Sequence, residues 1–400
     1  MKDIAPHRIG QPSPIAVHLG AAASGYLQAI LAAPNAAEPD FPWHPTLPRY
    51  AGPAPEPLDV TAEAARRMAR MLRGIEAWQR HPYRRGEIPR PVLWADGATR
   101  LVDHGAGASG PVVVVVPSLI NRPYVLDLLP ERSFLGALRA AGLRPLLLDW
   151  GAPGAAEAGF DIDCYRHRRL APALEAARRL TGRTPALLGY CMGGTISAGH
   201  VIEGAEVSAL VTIGAPWDFD AARGFTQGIR AAVRQAGDDF WRRTLRSLVE
   251  AFGLVPVTLF QHLFALVDPI QATRKFQAFA ALDPDSDRAR LFVALEDWLA
   301  DGIPMAGPAA ETLLIDWHLD NATGTGRWPE RISTDQQPPA LIVSGLRDGI
   351  APPGVSAALS RAFPEATVLS PALGHVGMIT GAAAPARVWR PVVEFLRANA

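Results

Sequence analysis

The segment 187–195, Leu-Leu-Gly-Tyr-Cys-Met-Gly-Gly-Thr, constrains the fold of this 400-residue chain more than any other feature. An apolar run leads into a turn in which glycines flank a cysteine, and the small residues of 196–199 follow. A residue at such a sharp strand-to-helix turn adopts a strained conformation, and the neighbouring backbone passes so closely that only hydrogen side chains fit. The pattern therefore predicts a strand, a tight turn with Cys191 at its tip, and a helix.

A strand–turn–helix of this kind is typical of the nucleophile elbow in α/β-hydrolase folds, with Cys191 where serine usually stands. The N-terminus of the following helix directs free N–H groups and the positive end of its dipole at the sulfur, which favours the thiolate. Because a thiolate exchanges readily with thioesters, the elbow indicates acyl transfer from a thioester. Taken alone, the pattern also fits a tight turn with an inert, buried cysteine, so other residues must decide.

An elbow nucleophile requires a base and a carboxylate that orients the base, in the chain order nucleophile, acid, base. Asp348 follows the apolar run 341–344 on a turn, and His375 lies in the glycine-flanked loop 372–378. Asp348 follows Cys191 by 157 residues, which requires an insertion, and precedes His375 by 27 residues, which fits one helix and one strand. We therefore predict a catalytic triad of Cys191, Asp348 and His375.

Short apolar runs alternate with helical patterns along the chain, as expected for a mostly parallel, doubly wound sheet with right-handed crossovers. One run, 112–116, consists entirely of valine and is too short for a helix. We predict an α/β-hydrolase fold with strands at 112–116, 145–149, 186–189, 210–214, 340–344 and 367–369. Helices are predicted at 134–141, at 164–180, at 391–398 and between an N-cap at Thr61 and Pro82.

The chain divides into four predicted regions. Residues 1–55, rich in proline and alanine, are expected to form an irregular arm with a short helix near 26–33. The first part of the α/β core is 56–214 and the second is 336–400. The sequence of 215–335 lacks the pattern of a sheet. We predict that it forms a helical cap insertion over the strand C-termini, with helices at 240–252, 257–267 and 288–299. The apolar residues of this cap pack against the core, line an acyl pocket or form a dimer contact.

Composition excludes several classes of protein. The formal net charge is +0, with 39 basic and 39 acidic residues, so there is no electrostatic case for nucleic acid binding. Two cysteines, Cys164 and Cys191, cannot form a disulfide framework and fit a reducing cytoplasm. Asp3 and early prolines argue against a signal peptide, and the lack of 18 uninterrupted apolar residues predicts no membrane span. No metal site and no resident cofactor are predicted.

Over roughly residues 65–400 the chain resembles the polyhydroxyalkanoate synthases, of the short type without a long N-terminal domain. The run Val-Val-Val-Pro-Ser-Leu-Ile-Asn-Arg-Pro-Tyr at 114–124 is similar to the first strand and loop of that family. Further similar segments follow in the same order as in the family: 148–151, 164–165, 189–195, 211–218, 317–321, Asp348 and 374–377. The acid is flanked by Arg347 and Gly349, which are not typical of the family.

The resemblance implies a stepwise acyl transfer. A (R)-3-hydroxyacyl-coenzyme A thioester would be the substrate and a polyester the product. His375 would take the proton of Cys191, and the thiolate would attack the thioester. Asp348 would orient His375 and help to deprotonate the 3-hydroxyl group that attacks next.

The same resemblance implies the surroundings of the reaction. The backbone N–H of Met192, with one from Leu119 or Ile120, would hold the oxyanion of the tetrahedral intermediate. The protein would form a homodimer or require a partner synthase subunit. It would be cytoplasmic and associated with the surface of polymer granules, because its product is hydrophobic.

Two other classes of function stay open. Dienelactone hydrolases carry a Gly-Tyr-Cys-x-Gly-Gly elbow, but these compact enzymes leave no room for 157 residues between nucleophile and acid. A thioesterase or a depolymerase-like esterase could use the same triad, since only the access of water separates it from a synthase. A non-catalytic granule-binding or scaffolding protein would carry a degenerate site, whereas all three triad positions are present here.

Overall fold

The computed structural model describes residues 15–38, 53–86, 88–105, 107–222, 225–333 and 337–400. They belong to two compact units, one formed by the residues up to Arg85 with Gln261–Ala300, the other by Gly86–Phe260 with Asp301–Ala400. The strands are β1 Val92–Asp96, β2 Thr99–Asp103, β3 Val112–Val116, β4 Asp127–Leu129, β5 Arg132–Ser133, β6 Arg144–Asp149, β7 Ala186–Tyr190, β8 Leu210–Ile213, β9 Ala340–Val343 and β10 Thr367–Leu369.

The α-helices of the described residues connect these strands or form the helical unit. They are α1 Ile15–Ala32, α2 Pro57–Arg80, α3 Phe134–Ala140, α4 Ile162–Tyr165, α5 Ala171–Thr181, α6 Met192–Ile202, α7 Phe225–Ala236, α8 Asp238–Phe252, α9 Val257–Val267, α10 Gln271–Phe279, α11 Asp287–Ala300, α12 Gly307–Glu311, α13 Pro353–Ala357, α14 Gly377–Thr380 and α15 Arg390–Asn399. Three π-helices join or extend them, at Arg166–Leu170, Thr312–Leu319 and Pro385–Trp389.

Eight strands form one sheet with the order β1-β2-β6-β3-β7-β8-β9-β10. All neighbouring pairs from β6 to β10 are parallel. β3, β7, β8 and β9 are buried at every position, as expected for parallel strands that are covered on both faces. The predicted α/β-hydrolase fold is confirmed, and all six predicted strands lie in this sheet.

An antiparallel hairpin extends the sheet at one edge and is absent from the prediction. β1 pairs with β2, and β2 pairs with β6, both antiparallel. Gly97 in the two-residue turn has a φ of 55°, a value that favours glycine. The Asp96-Gly97 pair is a recognised hairpin signal, but β1 is mostly exposed and lacks the apolar pattern that reveals the inner strands.

Most predicted helices are confirmed with small changes of boundary. The predicted helices 240–252, 257–267 and 288–299 correspond to α8, α9 and α11, and the C-terminal helix corresponds to α15. The predicted helix 164–180 is confirmed as one run of helical backbone from Ile162 to Thr181, in which a π-helical turn at Arg166–Leu170 lies between α4 and α5.

Helix α2 begins earlier than predicted. Its N-cap position is Glu56 rather than Thr61, and Pro57 occupies the first turn. Proline suits this position because its φ is already helical and its missing N–H would have no partner there. Thr61 lies inside the helix, where its hydroxyl donates to the carbonyl oxygen of Pro57 at 2.7 Å.

The helical unit divides the chain differently from the predicted regions. Its core joins α1 and α2 to α10 and α11 through buried side chains that include Met71, Trp78 and Phe276. Residues 261–300, which were predicted as part of the cap, belong to the helical unit. Helix α2, which was predicted as part of the α/β core, belongs to the helical unit as well. The reason is close packing, since a Cβ on Gly74 would lie 2.0 Å from the Phe276 carbonyl oxygen. The predicted boundary at 335/336 lies outside the described residues.

Helix α1 occupies part of the arm that was expected to be irregular. With the turn that follows to Asn35 it spans 21 residues with a mean hydropathy of 1.4, long and apolar enough to cross a membrane. Polar residues interrupt this run, and the same length and apolar character occur in signal sequences and in core helices, so the absence of a span stays a prediction. In the structure its Ala22 is buried in the helical core, where Ile15 and Leu19 also pack. The rest of the predicted arm, 1–14 and 39–52, lies outside the described residues.

Candidate active site

Cys191 lies at a sharp turn between β7 and α6, as predicted. Its φ of 56° and ψ of −131° are strained for a residue with a side chain. Among the described residues other than glycine, only Asn321 also has a positive φ. The Cys191 N–H donates to the carbonyl oxygen of Ile213 at 2.9 Å, so the pairing of β7 with β8 continues into the turn and holds the strained residue in place.

The glycines of the elbow are required by close backbone contacts. A Cβ on Gly189 would lie 2.4 Å from the Cα of Gly194. A Cβ on Gly193 would lie 2.2 Å from the carbonyl oxygen of Val116 and 2.4 Å from that of Pro117. Because these are backbone atoms of packed elements, they cannot move aside as a flexible side chain would. The first turn of α6 therefore lies directly against the end of β3.

Asp348 and His375 meet in a buried hydrogen bond. The Nδ1 of His375 lies 2.7 Å from Oδ2 of Asp348. The other carboxylate oxygen, Oδ1, accepts from the N–H groups of Ile350 and Ala351, each at 2.8 Å. Both side chains are buried. The carboxylate is thus held from both oxygens, and it fixes the orientation of the imidazole.

The loops that carry these two residues are held together beyond the ends of their strands. After β9 and β10 the N–H of Ser344 donates to the Leu369 carbonyl oxygen. Further on, the N–H of Arg347 donates to the carbonyl oxygen of Leu373 at 3.1 Å. The hydrogen bonding between the two loops therefore continues as far as Leu373, two residues before His375. It explains how Asp348 and His375, 27 residues apart in the sequence, meet.

The Cys191 sulfur acts on His375 together with the Asp348 carboxylate, and the catalytic roles of the three residues stay a prediction. Burial by itself lowers the pKa of His375, but the Asp348 carboxylate and the Cys191 sulfur oppose it through charge and hydrogen bonds. The result is a pKa well above the usual histidine value. The site therefore favours an imidazolium between a carboxylate and a sulfur, the arrangement that generates a thiolate nucleophile.

A glycine that was not singled out in the sequence makes room for the histidine. Gly214 follows β8 and has a φ of 60°. A Cβ there would lie 3.0 Å from Cε1 and 3.1 Å from Nδ1 of His375. The signal in the sequence is a glycine at the end of a buried strand next to the elbow strand, which indicates a close approach of another group.

The three predicted oxyanion residues lie near one another. Met192 is the first residue of α6, and Leu119 and Ile120 follow β3, whose end contacts that helix turn. The Ile120 N–H is directed at Oγ of Ser118 at 3.3 Å. Within the described residues no protein acceptor is found for the N–H of Met192 or of Leu119. These two are therefore the better placed donors, and their role in catalysis stays a prediction.

Other candidate groups have structural surroundings. His200 is buried and His318 is half-buried, and loss of solvation lowers their pKa values to about 3 and about 4. Burial raises the pKa of the Cys164 thiol. The backbone N–H of Cys164 donates to Oδ1 of Asp161. In the described part of the chain, no three His, Cys, Asp or Glu side chains gather as a metal ligand set.

A Cys–His–Asp arrangement on an elbow above a mostly parallel sheet defines a member of the α/β hydrolases. The sequence profile described as alpha/beta hydrolase fold matches residues 111–382, so the chain belongs to this family. The matched segment runs from the start of β3 to beyond His375 and includes all three triad residues.

Within this family the chain is similar to polymerases. It is 28% identical over 332 residues to the poly(3-hydroxyalkanoate) polymerase subunit PhaC of Haloarcula marismortui, covering 78% of this chain and 68% of the relative. The PhaC subunit of Haloferax mediterranei is 28% identical, with 78% and 64% covered. That of Allochromatium vinosum is 28% identical, with 78% and 89% covered. These similarities confirm the resemblance to polyhydroxyalkanoate synthases, which are acyltransferases.

We expect Asp348→Asn to destabilise the protein most at low pH. A histidine whose folded pKa is raised contributes stability that is fully present below its unfolded pKa and is lost as pH rises through the folded pKa. Because Asp348 raises the pKa of His375, the loss in unfolding free energy should be larger at pH 6 than at pH 9.5. We expect a difference of about 1 kcal/mol or more, measured by urea unfolding.

Asp103→Asn is the matched control for this prediction. Asp103 is as buried as Asp348 and pairs with Arg144 at 2.8 Å. A guanidinium keeps its charge over this whole pH range, so the destabilisation should not follow the same pH course. Parallel profiles for the two variants would contradict the role assigned to His375.

We expect Gly214→Ala to displace His375 and to reduce the reactivity of Cys191 towards an acyl thioester by about 10²-fold, because small misplacements of a catalytic group are costly. Gly182→Ala provides the control, since Gly182 has a similar φ of 66° but open space around its Cβ position. Equal losses in both variants would trace the effect to backbone strain instead of contact with the imidazole.

Proposed function

We propose that this chain polymerises (R)-3-hydroxyacyl groups from coenzyme A thioesters into polyhydroxyalkanoate, with Cys191 carrying the acyl group as a thioester. The observation that supports the proposal most is the buried 2.7 Å contact between His375 and Asp348 beside the elbow cysteine. The polymerase names of the relatives support the choice of substrate. Coenzyme A takes part as the leaving group of the substrate, not as a resident cofactor.

In the first half of the reaction, His375 takes the proton of the Cys191 thiol and the sulfur attacks the thioester carbonyl carbon. The N–H groups of Met192 and Leu119 donate to the oxyanion that forms. The bond between the acyl carbon and the sulfur of coenzyme A then breaks, and His375 returns the proton to that sulfur. The acyl group is left on Cys191.

In the second half, the 3-hydroxyl of another acyl unit attacks the Cys191 thioester. His375 takes the hydroxyl proton, a new ester bond forms, and the bond between the acyl carbon and the Cys191 sulfur breaks. We assign this deprotonation to His375, not to Asp348 as the resemblance implies. Both oxygens of Asp348 are already engaged and its side chain is buried, so a substrate hydroxyl has no open oxygen to approach.

Two further elements of the proposal concern partners and place. The relatives are named as subunits, which supports a partner subunit or a second copy as a requirement for full activity. We also propose that the chain works in the cytoplasm at the surface of its insoluble product. Exposed leucines on α1, Leu27 and Leu31, support contact with an apolar phase.

Replacing both leucines, Leu27→Ser with Leu31→Ser, should move the protein from the polymer pellet to the supernatant, because burial of each side chain is worth about 1.5–3 kcal/mol. The measurement is the fraction that sediments with washed polymer. Leu346→Ser, at an exposed leucine in the loop before Asp348, is the control for added polarity. Unchanged sedimentation of the double variant would exclude α1 as the contact.

Cys191→Ser should keep the fold but reduce turnover of (R)-3-hydroxybutyryl-coenzyme A by about 10³-fold or more, because a hydroxyl is far less acidic than a thiol. Release of coenzyme A and weight of insoluble polyester are measured together. Cys164→Ser, the other cysteine, should retain both signals.

The same assay separates the alternatives. Polyester that accumulates in proportion to released coenzyme A supports the synthase. Free 3-hydroxybutyrate in place of polyester identifies a hydrolase, and turnover that survives Cys191→Ser contradicts the covalent mechanism. Activity that appears only in the protein purified with its native binding partners assigns it to a two-subunit enzyme.

A further inference from the structure

The residue before the nucleophile contacts the catalytic histidine. Tyr190 is the last residue of β7, and its ring centroid lies 5.2 Å from that of His375, with an angle of 33° between the planes. Both residues are buried, with 3% and 8% of their surface exposed. The Tyr190 hydroxyl donates to the His375 carbonyl oxygen at 3.5 Å. One side chain therefore touches both the ring and the backbone of the histidine.

The ring contact is the stronger of these two interactions. A donor–acceptor distance of 3.5 Å is at the long limit for a hydrogen bond between oxygens, so the hydroxyl contributes little. The two ring centroids, in contrast, lie 5.2 Å apart with a tilt of 33°, a spacing at which an aromatic ring attracts a cation. Because the contact is buried, water does not screen this attraction.

The other neighbours of His375 differ from Tyr190 in the kind of contact that they make with the imidazole. The titratable groups that face the imidazole are the Asp348 carboxylate at Nδ1 and the Cys191 sulfur. From β8 and α14 it meets Gly214 and the neutral Met378, whose methyl group also lies at Gly214. The Asp348 carboxylate approaches the edge of the imidazole through its hydrogen bond to Nδ1, whereas the Tyr190 ring is packed against the imidazole at a tilt of 33°.

We propose that Tyr190 is a positioning residue that stabilises the imidazolium form of His375 through its aromatic ring and thereby increases the reactivity of Cys191. The inference rests on the His375–Cys191 pair of the proposed function, but not on which acyl group is transferred. It predicts that the ring of residue 190, and not its hydroxyl, sets the pH at which Cys191 becomes reactive.

The test is the rate of alkylation of Cys191 by iodoacetamide as a function of pH, in a Cys164→Ser background. Tyr190→Phe keeps the aromatic face, so the midpoint should stay within about 0.3 pH units of the parent. Tyr190→Leu removes it, so the midpoint should rise by about one pH unit, a tenfold loss of thiolate at a given lower pH.

An isosteric variant removes the risk that Tyr190→Leu does not fold. Pentafluorophenylalanine at position 190 keeps the ring size but reverses the charge distribution of its face, so its midpoint should rise at least as far as that of Tyr190→Leu. Tyr165→Leu controls for loss of a buried aromatic. Tyr165 is 2% exposed and packs on Trp150 and Phe160, away from the triad.

The outcomes are distinct. A midpoint that moves with the leucine and pentafluorophenylalanine variants but not with phenylalanine or at Tyr165 supports the proposal. An unchanged midpoint in the pentafluorophenylalanine variant overturns it, as does an equal shift for Tyr165→Leu. The assay needs no acyl substrate, so a failure of the polymerase proposal leaves its result unaffected, while a parent midpoint at the ordinary thiol pKa of about 8.5 would refute the stabilisation of a thiolate by His375.

Discussion

The catalytic end of the sheet depends on one close approach, that of the first turn of α6 to the end of β3. Gly193 allows this contact, since any side chain there would meet the carbonyl oxygens of Val116 and Pro117. Cys191, whose backbone is strained, lies two residues before Gly193, and the approach places Pro117, just after β3, against the first turn of α6. The predicted nucleophile and the predicted oxyanion donors therefore share one steric constraint.

The order of the strands then determines how the remaining groups arrive. β8 lies between β7, which ends at the nucleophile, and β9, which leads to the acid. The histidine comes from beyond β10 and has to cross the end of β8 to reach the sulfur. Gly214 at that end leaves the necessary space, because a methyl group there would contact the imidazole. In a parallel sheet all these strand ends lie at one edge, so residues far apart in sequence meet without special loops.

Much of this could be predicted from the sequence because the inner strands and the elbow carry strong local signals. The valines of 112–116 and the glycines around Cys191 allow few alternatives. The helical unit could not be predicted in this way, because its core joins α1 and α2 to helices some two hundred residues later, and helical periodicity does not say which faces meet. The contact of Tyr190 with His375 was missed for a similar reason, since it depends on where a distant loop returns to the sheet.

The chemical identity of the nucleophile affects the protonation of the site before substrate binds. Burial opposes a charge on His375, and Asp348 offsets that penalty. A serine hydroxyl would stay neutral beside such a histidine, whereas a thiol is generally far more acidic than a hydroxyl and gives up its proton to an imidazole more readily. A resting imidazolium then needs each favourable contact around it, including the face of Tyr190. Exclusion of water strengthens these contacts and also protects an acyl thioester from hydrolysis. The burial that disfavours a charge on His375 is thus what the proposed acyl thioester on Cys191 requires. Asp348 makes that burial compatible with a charged imidazole.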